Sequence, residues 1–176
     1  SLHDALPILC YAFLEKDVHL LNMQNGLADN TVSAVYKDKE GFVWFGTRNG
    51  LSRYDGRQIT NFEQSNSYPS ISNLKEVFDG VLAFVDNGVF SAFDLKKERF
   101  LSVVSSSEKR IPSWGMLQKN DSLVWVISGS ELHLMKRCAS KEGELRLRVQ
   151  EKYTGWDNQD NLLVAITYSS DKKSIC

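Results

Sequence analysis

Residues 38–56, DKEGFVWFGTRNGLSRYDG, set three turn signals around two short apolar segments, and nothing else in the chain constrains the fold as strongly. Asp38-x-x-Gly41 reads as a tight reversal, 42–47 as a buried strand and Asn49-Gly50 as a hairpin turn. A second strand follows over 51–54, and Asp55-Gly56 turns the chain again. Asn-Gly and Asp-Gly suit such turns because type I′ geometry needs positive φ, which Gly and Asn tolerate. The expected product is a meander of short antiparallel strands, a unit that rarely stands alone.

The chain repeats this unit weakly. Asn49-Gly50-Leu51 recurs 38 residues later as Asn87-Gly88-Val89. Val43-Trp44-Phe45 aligns with Val81-Leu82-Ala83, and 43 residues further on with Val124-Trp125-Val126. Repeats of about 40 residues holding four short strands are the mark of β-propeller blades. The predicted fold is therefore all-β: a partial β-propeller of about three four-stranded antiparallel blades, with incomplete strands at both ends. Blade one is expected over 25–63, with strands at 32–37, 42–47, 51–54 and 58–62. Blade two is expected over 74–104 and blade three over 114–153. The Ser-, Asn- and Pro-rich stretches 64–72 and 105–113 read as crossovers. A lone strand is expected over 18–23, within 9–24, and 160–176 reads as the start of a further blade. Blades bury their faces against neighbouring blades, so 9–176 alone is expected to be marginally stable or prone to aggregate.

Residues 2–8, Leu-His-Asp-Ala-Leu-Pro-Ile, resemble the translation of a common sequencing adapter, so 1–8 is expected to be non-native. The apolar run 9–14 is then either the remnant of an export signal or an ordinary stretch ahead of the first strand. The chain is expected to be a fragment of a longer protein.

With 176 residues, 42% of them hydrophobic and 24% charged, the composition is that of a globular domain able to bury a core. A formal net charge of −1 without a basic cluster argues against nucleic acid as a partner. Cys10, Cys138 and Cys176 lack C-x-x-C spacing, so neither a zinc site nor a disulfide framework is indicated. His19 and His133 stand singly in alternating segments, and His3 lies in the adapter-like stretch. No metal, cofactor or catalytic set is expected.

The run Asn25-Gly26-Leu27-Ala28-Asp29-Asn30-Thr31-Val32, followed by Asp38-x-x-Gly41-Phe42-Val43-Trp44-Phe45-Gly46-Thr47-x-x-Gly50-Leu51-x-x-Tyr54-Asp55-Gly56, resembles the two-component regulator propeller repeat. Blade two departs from it, with Leu82 in place of Trp and Phe84 in place of Gly. In blade three the Gly-Leu turn has become Glu131-Leu132. The resemblance implies the periplasmic sensor part of a Bacteroides-type hybrid two-component system. There, propellers are followed by an immunoglobulin-like connector, a membrane helix, and kinase and response-regulator modules. It further implies an oligosaccharide ligand, a homodimer, and partners among the remaining blades and downstream modules of the same chain. No kinase or DNA-binding segment falls within these residues, so this part is expected to be no enzyme itself.

Aromatic faces pair well with apolar sugar faces, which makes the tryptophans candidates for binding. Trp44 and Trp125, however, occupy equivalent mid-strand positions and read as wedges between blades. Asp38, Gly41, Gly46, Thr47, Gly50, Leu51, Tyr54, Asp55, Gly56, Asn87 and Gly88 read likewise as the structural grammar of the repeat. Trp114 and Trp156, near crossovers, and Arg48, Asn49 and Arg53, near strand ends, are the candidate ligand-binding residues. The leading expectation is a ligand-sensing propeller. The alternatives are a scaffold for protein interaction or dimerisation, and a propeller lyase or hydrolase.

Overall fold

A computed structural model of the chain describes residues 20–63, 70–105 and 110–154. Short strands separated by turn residues dominate. β1 (Val32–Lys37), β2 (Val43–Thr47), β3 (Gly50–Tyr54) and β4 (Ile59–Phe62) form a four-stranded antiparallel meander. β5 (Ile71–Phe78), β6 (Val81–Asp86), β7 (Val89–Asp94) and β8 (Arg99–Ser105) form a second meander. The third comprises β9 (Gly115–Asn120), β10 (Leu123–Ser128), β11 (Glu131–Cys138) and β12 (Glu144–Tyr153). The fold is a partial β-propeller, with the first strands of the three blades, β1, β5 and β9, packed side by side on its inner edge.

The turn chemistry explains why these strands form here. Asp38 Oδ1 accepts the backbone N–H groups of Glu40 and Phe42, at 3.0 and 2.9 Å, while Gly41 takes φ +94°. Asp55 Oδ1 likewise accepts from Arg57 and Gln58 N–H, at 2.7 and 2.8 Å. Asn87 and Gly88 both have positive φ, +49° and +77°, as a type I′ turn requires. The Asn49-Gly50 turn differs from the type I′ expectation, because only Gly50 has positive φ, at +110°. Arg48 and Asn49 form the loop and Gly50 closes it, paired with Thr47, in the manner of a hairpin with glycine at the bulge. Thr47 holds the turn from both sides: its Oγ1 accepts Asn49 N–H at 3.1 Å and donates to Gly50 O at 2.9 Å.

Two apolar layers separate the blades. Trp44 and Leu51 of the first blade pack on Ile71, Leu74, Leu82, Phe84 and Phe93 of the second. Between the second and third blades lies a larger layer that includes Phe78, Val85, Phe90, Met116, Val126 and Leu147. Gly46 is fixed by close approach: a Cβ there would stand 2.6 Å from Ile71 Cγ2.

Three further features depart from what the sequence leads one to expect. Over the described part of the expected strand 18–23, residues 20–22 are irregular and Met23–Asn25 is a single 3-10 turn, capped reciprocally by Asn22 and Asn25. Here a local side-chain cap outcompetes extended structure. β5 begins at Ile71, inside the stretch expected as crossover, because Ile71 is buried against the first blade. Finally, the second and third blades are not separate sheets. β8 and β12 pair in parallel from Glu144↔Ser102 to Leu147↔Ser105, joining eight strands in the order β5-β6-β7-β8-β12-β11-β10-β9. Residues 1–8, the apolar run 9–14 and 160–176 lie outside the described residues. No helix among the described residues is long and apolar enough to cross a membrane.

Candidate functional site

Because β1, β5 and β9 run side by side in the same sense, corresponding positions near their C-terminal ends converge. Tyr36, Glu76 and Gln118 are such positions, and with Lys39, Phe78, Asp79 and Asp121 they line an opening of about 370 Å³. Glu76 anchors it. Its side chain is only 8% exposed, yet it is well satisfied. Oε1 accepts Gly80 N–H at 3.0 Å and Lys39 Nζ at 3.3 Å, and Oε2 accepts the Tyr36 hydroxyl at 3.4 Å. Partial burial, then the Glu76 charge, push the Tyr36 phenol above its ordinary value. The hydrogen bond and charge of Glu76 hold the Lys39 ammonium high. Lys96 and Lys39 approach Asp79 at 3.1 and 3.7 Å and hold its carboxyl low.

A narrower cleft of about 90 Å³ adjoins this opening and shares Lys39, Glu76 and Asp79 with it. Its wall includes Trp44, whose indole N–H donates to Asp38 Oδ2 at 2.8 Å, so one carboxylate both caps the turn and orients the ring. The Arg53 guanidinium lies 4.8 Å from the Phe42 ring centre and 5.5 Å from those of Trp44 and Phe62. Its Nη1 also meets Glu98 Oε1 at 2.6 Å. A third recess, between the second and third blades, carries Lys97, Arg99, Arg137 and Lys141. Glu142 accepts from Lys97 at 2.9 Å and from Arg99 at 3.0 Å, and these two bases hold its carboxyl low.

The candidate residues named from sequence are not brought together. Arg48 and Asn49 sit in the β2–β3 turn, and Trp114 immediately precedes β9, at the end of the blades opposite the opening. Trp114 is 51% exposed, and its carbonyl accepts Asn73 Nδ2 at 2.8 Å. Asn49 Nδ2 donates to Ala28 O at 3.4 Å. Arg53, near the other end of β3, is engaged by three rings and Glu98. Trp156 lies outside the described residues. Trp44 and Trp125 are both buried. They differ in that Trp125 Nε1 has no hydrogen-bond partner among the described residues, while Lys119 Nζ lies 5.1 Å from its ring centre.

Tyr36, Glu76 and Gln118 are not among the candidates that the sequence singles out. Their signal was present: one polar residue shortly before the first turn of each blade, with Glu76 40 residues after Tyr36 and Gln118 42 after Glu76.

Residues 26–49 match the family model described as two component regulator propeller. No curated protein matches the sequence. Among solved structures, the chain is similar to the extracellular domain of the putative one component system BT4673 from B. thetaiotaomicron. The identity is 15% and the TM-score 0.64, over 88% of this chain and 24% of that one. It is also similar to the extracellular domain of the putative hybrid two component system BT3049 from the same organism. There the identity is 17% and the TM-score 0.57, over 78% of this chain and 18% of that one. The chain thus spans a quarter or less of the length of these domains, and at such identities the likeness establishes the fold.

Proposed function

We propose, from the premise that this chain carries a two-component regulator propeller repeat, that it is part of the extracytoplasmic sensor of a hybrid two-component system. In this reading it faces the periplasm and receives an oligosaccharide released from a complex glycan. The sensor works as a homodimer, and the histidine kinase and response-regulator modules lie outside these residues. A ligand that binds one arrangement of the dimer better than another biases the kinase through the membrane by that difference in affinity.

The observation that carries the reading is the opening beside Tyr36, Glu76 and Gln118. Small-molecule sites enclose roughly 300–1,000 Å³, and about 370 Å³ suits a ligand of one or two sugar rings. Carboxylate, phenol and carboxamide groups are also the partners that sugar hydroxyls take. Titration calorimetry of the complete sensor region with defined oligosaccharides tests this. The expected result is binding by at least one of them, weakened by about tenfold or more in Gln118→Ala. Binding untouched by that change would move the site elsewhere, and absence of binding by every oligosaccharide would remove the sugar-sensing reading.

A further inference from the structure

The two seams between blades are built differently. Across the seam of the second and third blades runs a backbone ladder, β8 against β12, extended by Ser102 N–H donating to Gly143 O at 2.8 Å. Across the seam of the first and second, no backbone ladder forms among the described residues. Ring packing, Ser33 Oγ–H donating to Ile71 O, the Tyr36 and Lys39 contacts to Glu76 and Asp79, and the Arg53–Glu98 ion pair hold it.

We infer that the seam between the first and second blades is a conformational joint of the sensor, with Arg53–Glu98 as its latch. Arg53 is anchored on one side only, since Phe42, Trp44 and Phe62 all belong to the first blade. Among the described residues its ion pair across the seam is to Glu98, a residue held at φ +50° in the left-handed region that side chains rarely adopt. The cleft of about 90 Å³ lies beside the latch, lined by Arg53 and Trp44 of the first blade and Leu95 and Lys96 of the second. The opening straddles the same joint. Tyr36 and Lys39 come from the first blade, Glu76 and Asp79 from the second. A ligand that takes Glu76 as its own partner competes with two contacts that close the seam. This coupling rests on the sensing role proposed above, whereas the asymmetry of the seams does not.

Hydrogen exchange on the full-length protein, with Glu98→Gln and Arg53→Met, tests the joint. Protected amides of β1–β3 are expected to exchange about fivefold faster in both variants, while those of β10 and β11 keep the wild-type rate. Glu98 lies in an exposed turn, so its variant keeps the fold even where Arg53→Met does not. Equal acceleration in both groups of strands, or none in β1–β3, would overturn the joint. In cells carrying the full-length sensor, Glu98→Gln is expected to shift basal transcriptional output by about threefold or more. Selective loosening with wild-type output would overturn the joint's use in signalling. Absence of binding by every oligosaccharide in the calorimetry, with selective loosening intact, would count against the sugar reading and leave the joint standing.

Discussion

Gly46→Ala adds one methyl group at the narrowest point of the first seam. The new Cβ would stand 2.6 Å from Ile71 Cγ2, 3.2 Å from Ile71 Cβ and 3.1 Å from the Ile71 carbonyl oxygen. None of these atoms yields easily. Ile71 is fully buried, β-branched and stiff about χ1, and its carbonyl belongs to the backbone of β5. Overpacking of this kind costs about 1–3 kcal/mol. Gly46 does not have positive φ, so alanine also reduces the entropy of the unfolded chain, offsetting about 0.5–1 kcal/mol of that. The 2.6 Å approach puts the cost in the upper half of that range, about 2–3 kcal/mol, so the net destabilisation should be about 1–2.5 kcal/mol, a fall in Tm of roughly 2–10 °C for a chain of this size. Urea unfolding followed by tryptophan fluorescence reads it directly, since Trp44 lies in the same layer. A double-mutant cycle gives the mechanism. Ile71→Ala alone should cost about 2–5 kcal/mol. The double variant should cost less than the sum by about 1 kcal/mol, because the obstructing Cγ2 is gone. A strictly additive cycle, or Gly46→Ala within about 0.5 kcal/mol of wild type, would refute the close approach as the reason for glycine.

Trp44→Phe should destabilise by about 1–2 kcal/mol more than Trp125→Phe, because it leaves Asp38 Oδ2 without the indole donor. The Trp125 indole has no such partner among the described residues, and equal losses in chemical denaturation would contradict the account. Asp86 is buried in β6, and burial pushes its carboxyl above the ordinary carboxylate value, against the pull of the Ser70 N–H. Its charged form is therefore disfavoured in the folded state. Asp86→Asn should raise stability at neutral pH, with the gain shrinking as pH falls through the raised folded-state value and gone below the ordinary carboxylate value, and a pH-independent difference would sink this. Asp55, Asp79, Glu131 and Glu142 shift the other way, held low respectively by the Gln58 and Arg57 N–H groups, Lys96, His133, and Lys97 with Arg99. Each contributes stability present above the ordinary carboxylate value and lost as pH falls through the lowered one. Thermal unfolding should therefore show Tm falling below about pH 4.

The first blade was legible because its instructions are local. Asp38, Gly41, Asp55 and Gly56 act on backbone groups within a few residues, so spacing along the chain fixes the turns they make. The link from Asp38 to Trp44 is equally local, but spacing alone does not tie a turn residue to a core residue. The β8–β12 ladder was not legible at all. β8 shows no alternation of buried and exposed residues, and its pairing with β12 depends on how closely two blades approach rather than on either strand's pattern. The opening fell between these cases: the repeat marks its positions, but Tyr36, Glu76 and Gln118 share no side-chain chemistry that a motif could expose.

The same contrast bears on where a signal can act. A propeller whose blades were all joined by ladders would resist any ligand too small to break several backbone hydrogen bonds at once. A seam held by side chains yields to one well-placed competitor, and here the buried carboxylate of Glu76 is the contact most open to such competition. Lys39, its ionic partner from the first blade, keeps a side chain 72% exposed and gives up little on leaving. Glu76 would lose far more if left buried without a partner, so a ligand that displaces Lys39 must itself supply donors. Under the proposed sensing role, ligand recognition and seam opening would therefore fall on one residue, Glu76. This is why Tyr36 and Lys39, rather than the exposed Trp114, are where substitution should alter response as well as affinity.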